Sequence, residues 1–194
     1  MRRLLPILLV GLAVPGSAQQ QSESYKFLQA VREAKGNDVI AMLDRPGSNL
    51  INTRDTSGET ALHIVVKRGD ATYTNYLLGK GADANARDAR NNTALLLAVN
   101  AGQGELIPIL LRARANPNLA NSAGETPLIR AVQRRDLTTV RVLLAAGADP
   151  DQGDIGAGKS ARDYAVEDGR NPAIVKLFAE TPKRDRRAVS GPKL

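Results

Sequence analysis

One interval constrains this chain more than any other property, a period of 33 residues. Thr60, Thr93 and Thr126 recur at that spacing, and each is followed two residues later by a leucine, Leu62, Leu95 and Leu128. The pairs Leu77-Leu78, Leu110-Leu111 and Leu143-Leu144 keep the same interval, as do Ala82, Ala115 and Ala148. Aligning 56–88 with 122–154 gives 14 identities in 33 positions. A period in the range of about 20–50 residues marks an array whose units bury their apolar faces against one another.

Each unit reads alike. TSGET ends on Thr60, a good helix cap. A short helix is predicted from Ala61 to Arg68, stopped at Gly69 by the left-handed conformation glycine adopts freely. A second runs to about Lys80 and ends at Gly81, and the polar stretch ADANARDARNN leads to the next cap. Helices this short are not stable alone in water, so neighbouring units must cover them. The side chains suit that packing, with 42% hydrophobic residues but only 3% aromatic.

TALH at Thr60–His63 and TPLI at Thr126–Ile129 resemble the T-P-L-H signature of the ankyrin repeat. GAD at Gly81–Asp83 and Gly147–Asp149 resembles its end. The resemblance implies an all-α ankyrin-repeat solenoid of stacked helix-turn-helix units joined by β-hairpin-like turns. Well-formed repeats occupy 56–88, 89–121 and 122–154. A degenerate leading repeat covers 24–55 and a capping repeat 155–182. The departures are Arg114 for the repeat-terminal glycine, Arg135 for the inter-helix glycine and Leu96 for the motif histidine. An arginine in left-handed geometry costs on the order of 1 kcal/mol, which makes the middle repeat, with Arg114, the expected weak link. Pro108 falls near the first turn of its helix, where a missing N–H is tolerated.

The N-terminus reads MRRLLPILLVGLAVPGSAQQ. Arg2 and Arg3 precede an apolar run from Leu4 to Val14, and small residues stand at Gly16 and Ala18. This is the pattern of a cleavable signal peptide, residues 1–18, followed by a short linker, 19–23. The apolar run is too short to span a bilayer of ~30 Å. An Ala- and Arg-rich, Cys-free chain with such a leader points to the bacterial periplasm. The net charge of +7 is unevenly spread. Two of those charges belong to the leader and four to the segment from Thr181 to Leu194, leaving a body, 19–180, of about +1. A basic, disordered tail is expected over 183–194, capable of at most weak contact with membrane or envelope polymers.

Chemistry is hard to assemble from this composition. Without cysteine there is no disulfide, thiolate metal site or Cys nucleophile, and the sole histidine, His63, falls at a motif position that in ankyrin repeats holds turn and helix together within its own unit. GDIGAGKS (153–160) matches the phosphate-loop pattern G-x-x-x-x-G-K-[ST] in full. A phosphate loop needs an apolar strand before it and a substantial helix after it. Here GADPDQ precedes and the short ARDYAVED follows. Gly158 and Ser160 align instead with the turn glycines (Gly58, Gly124) and caps (Thr60, Thr126) of earlier repeats, with one extra residue between Asp149 and Ser160. Asn91-Asn92-Thr93 fits a glycosylation sequon, but its threonine is a repeat cap. No catalytic residue, metal site or cofactor follows from the sequence, and an enzyme is not expected.

What remains is the surface. In this family partners meet the turn tips and first helices, which line a concave face. The corresponding residues in the first repeat are Arg54, Thr56, Ser57, Glu59, Lys67 and Arg68. Further along they are Arg87, Arg90, Asn92 and Asn100, then Glu125, Gln133 and Arg134. This stripe is basic although the body is nearly neutral, and it suits a partner protein with an acidic or hydrogen-bonding surface. The expectation is a monomeric, non-catalytic protein-protein interaction module, acting as adaptor or accessory factor for another envelope protein. Two further roles are an inhibitor or immunity protein that blocks a toxin or enzyme, and a tether that uses the basic tail. No nucleic-acid partner is expected.

Overall fold

The computed structural model describes residues 16–182, with side chains placed from Glu23 onward. Most of the expected leader, and all of the basic tail, lie outside the described residues. Five helix pairs follow one another: α1 (Gly16–Arg32) with α2 (Gly36–Leu43), α3 (Ala61–Arg68) with α4 (Ala71–Gly79), α5 (Ala94–Ala101) with α6 (Leu106–Arg112), α7 (Pro127–Gln133) with α8 (Leu137–Ala145), and α9 (Ala161–Asp168) with α10 (Pro172–Glu180). Among the described residues there is no strand, only an isolated antiparallel bridge between Gly153 and Ser160.

The predicted punctuation is where the helices begin and end. Thr60, Thr93, Thr126 and Ser160 cap α3, α5, α7 and α9, and all four are buried. The left-handed stop after the first helix falls on Gly69, Gly102 and Gly169, and on Arg135 in the third repeat at φ 58°. Arg114 takes the left-handed position after α6 at φ 63°. Both arginines therefore adopt the geometry that glycine favours. Residues 19–23, expected to form a linker, are instead helical and belong to α1. That helix runs on where every later unit has a turn, and the cap-type residues Ser22 and Ser24 lie within it.

The first helices form one row, with α1 packed on α3, α3 on α5, α5 on α7 and α7 on α9; α4 packs less extensively on α6. The core of the stack is the leucine of each T-x-L motif, Leu62, Leu95 and Leu128, all fully buried.

Two hydrogen-bond ladders tie the turns together. At the tips, Ala89 N–H donates to Ser57 O (2.9 Å), Ser122 N–H to Arg90 O (2.9 Å) and Ile155 N–H to Ala123 O (3.0 Å). Nearer the helix ends, Asn52, Asn85 and Asn118 each bridge to the next unit. Each donates its amide to a carbonyl (Gly81, Arg114, Gly147) and accepts from an N–H (Asp83, Asn116, Asp149). The tips approach closely. A Cβ at Gly58 would stand 2.8 Å from Ala89 N, and one at Gly124 2.4 Å from Ile155 N, in backbone already at φ 74° and 79°. Asn91 occupies the equivalent position at φ 60° and donates its side-chain amide to Ser122 Oγ.

Candidate protein-binding face

Every turn tip is held from within by an Asp or Asn at the 33-residue interval. Asp55 Oδ1 accepts from the N–H groups of Ser57 and Glu59, Asp88 Oδ1 from Arg90 and Asn92, and Asn121 Oδ1 from Ala123 and Glu125. Asp154 plays the same part in GDIGAGKS, accepting from Ala157 N–H (2.7 Å) and Gly158 N–H (3.0 Å). The amides that would face a phosphate in a nucleotide-binding loop are thus turned onto the protein's own carboxylate. Tyr164 donates its hydroxyl to Asp154 Oδ2 at 2.5 Å. That bond holds the carboxyl below its usual range, against a burial penalty and together with the backbone donors of 157–159. Lys159 pairs with Glu167 at 2.6 Å and Ser160 caps α9. The extra residue of this unit sits between Asp154 and Ser160, where the tip is one residue longer than its predecessors.

His63 is fully buried. Its Nδ1 accepts from Thr60 N–H (3.2 Å), and its Nε2 lies 3.1 Å from Asn92 O. The expectation that it stays within its own unit is therefore corrected, since the ring also bridges to the next turn. Burial, opposed in part by the Asn92 carbonyl, pushes its pKa below the ordinary value. The imidazole is neutral, with the proton on Nε2, and serves as a brace.

The predicted stripe divides into groups with different roles. Arg54 donates to the carbonyls of Gly58 and Arg87. Arg68 donates to Val31 O (2.9 Å) and Asp70, and Arg134 to Asn100 O (3.0 Å). These three guanidinium groups staple units together. Lys67 is paired with Glu59, while Glu125 and Gln133 both accept from Arg130. Asn92 is bound to Asp88 through its side chain. Arg87 and Arg90, on the tip of the second repeat, have no side-chain partner among the described residues, and Arg90 is exposed. Most of the charge of the stripe is therefore already used for internal cohesion.

The sequence reading passed over the asparagine ladder, the Asp/Asn staples of the tips and Arg130. The first two recur at the same 33-residue spacing, which is the signal by which they could have been found. Among the described residues no cluster of His, Asp and Glu is arranged to hold a metal ion, and no helix is long and apolar enough to cross a membrane.

A family model described as ankyrin repeats (3 copies) matches the chain over residues 27–121, 63–154 and 95–187. No curated protein matches it.

Proposed function

The chain belongs to the ankyrin-repeat family, and from that premise we propose that it is a non-catalytic adaptor or accessory factor, exported to the bacterial periplasm, that acts by binding another envelope protein. Ankyrin repeats are in general protein-protein interaction modules, which makes a protein the expected class of partner. The observation that carries the reading is the pair Arg87 and Arg90. Among the described residues neither side chain has a counter-charge, Arg90 is exposed and Arg87 half-buried, and both stand beside a row of hydrogen-bonded turns. A rigid scaffold that presents unpaired cations meets an acidic surface at little ordering cost.

Cross-linking in the periplasm followed by mass identification names the partner. Reversing Arg87 and Arg90 to glutamate is then expected to weaken its capture by about tenfold or more. Arg141→Glu, a reversal of an exposed arginine on α8, is expected to leave capture unchanged. Equal capture by all variants would remove the face from the proposal. For the address, deletion of residues 1–18 is expected to move the protein from the periplasmic fraction to the cytoplasm.

A further inference from the structure

The tip ladder has an open end. In the second, third and last tips, the N–H of Ala89, Ser122 and Ile155 is taken up by the tip before it. Thr56 holds the equivalent place in the first tip, and its N–H has no partner among the described residues. No tip precedes it, because α1 continues as helix there. Between α1 and this first tip lies a groove of about 430 Å³. One wall is Tyr25, 66% exposed, above the buried Leu28. The other is the tip itself, Arg54 to Thr56.

The charges of the groove are not balanced. Asp55 is fully committed, to Arg32 on one oxygen and to the turn on the other. Among the described residues Arg54 has only carbonyl partners and no carboxylate. The groove thus offers a backbone donor, an aromatic face and one uncompensated guanidinium.

We propose that this groove binds an extended segment of a partner protein carrying an acidic residue next to an apolar one. The segment supplies the missing first rung, with its carbonyl accepting from Thr56 N–H, its apolar side chain on Tyr25 and its carboxylate on Arg54. Addition of an extended segment to an open hydrogen-bonding edge is a general mode of peptide recognition, with affinity from the backbone and selectivity from alternate side chains. The inference rests on the protein-binding reading and adds to it a contact at the first end of the stack.

A displayed library of random heptapeptides, selected on the immobilised protein, tests it. The expected survivors pair Asp or Glu with an apolar neighbour. Amide shifts are expected to move at Tyr25, Leu28 and Thr56. Binding of the selected peptides is expected to fall about tenfold or more in Tyr25→Ala and in Arg54→Glu, and to hold in Arg141→Glu, on the exposed side of α8. Tyr25 is largely exposed, so its truncation keeps the fold even if Arg54→Glu loosens the tip. Failure to select peptides, or survivors without acidic residues, would overturn the proposal. Peptides lost only in Arg87→Glu/Arg90→Glu would overturn the groove while leaving the wider reading intact. Self-association that Tyr25→Ala abolishes would assign the groove to a second copy, and would also overturn it.

Discussion

His63 uses both ring nitrogens, with Nδ1 accepting from Thr60 N–H and Nε2 donating to Asn92 O. A proton added at Nδ1 breaks the first bond. Because burial lowers the folded-state pKa, the unfolded chain binds the proton more readily. Stability is therefore full above the unfolded value of about 6.5 and declines as pH falls below it. Urea midpoints at pH 7.5 and pH 5.0 are expected to differ in the wild type and to converge in His63→Leu, which copies Leu96 of the next repeat. The left-handed arginines make a second prediction. Arg114→Gly relieves strain at φ 63° and is expected to stabilise by about 0.5–1 kcal/mol, net of the added freedom of the unfolded chain. Arg135→Gly is expected to gain less, because Arg135 also forms a two-pronged pair with Asp168 at 2.8 Å. Thermal melts of the two variants separate the effects. Both positions were legible in the sequence as glycines missing from a pattern. The second half of the His63 brace was not, because Asn92 O is a main-chain atom and leaves no mark on residue identity.

At the scale of elements, helix limits could be read because caps and stops are side-chain decisions. Thr60 and Gly69 bound α3 as the sequence requires. The continuation of α1 through 19–23 could not be read, since Ser22 and Ser24 are cap-type residues that offer a later start the helix does not use. The tip 153–160 shows how one motif can be spelled for two purposes. Its glycines and lysine satisfy the phosphate-loop pattern, but Asp154, at a position the pattern leaves free, decides the outcome by accepting from the loop amides of Ala157 and Gly158. Titration calorimetry with ATP is expected to give no saturable heat for the wild type or for Lys159→Ala. Asp154→Ala is expected to cost about 1 kcal/mol of stability from the lost turn bonds. A saturable signal abolished by Lys159→Ala would reverse this reading. The candidate face is read from repeat-spaced turn and helix positions, of which Arg54, Lys67, Arg68, Arg90 and Arg134 are exposed and Glu59, Arg87, Asn92 and Glu125 half-buried. Which of its charges are available was not legible, because that depends on carbonyls one repeat away, such as those that hold Arg54, Arg68 and Arg134.

At the scale of the whole molecule, each unit touches mainly its neighbours, so stability is close to a sum of units and interfaces. Among the three well-formed repeats, 56–88, 89–121 and 122–154, the second is the least well furnished. α6 starts at Glu105 without a capping side-chain bond, and Asn91 and Arg114 both sit in left-handed backbone. The two ladders join consecutive units through a small, repeated set of bonds along a single direction. Pulled from its ends, such a stack carries tension through its rungs in series, as a spring does, and no rung shields the next. Single-molecule extension is expected to release one unit at a time, each freeing 33 residues and so roughly 110 Å of extended chain. Rupture in a single step would mean that distant units share the load, which the ladder geometry does not provide for. The same series arrangement means that a unit lost under force lengthens the protein while the units beyond it keep their own packing.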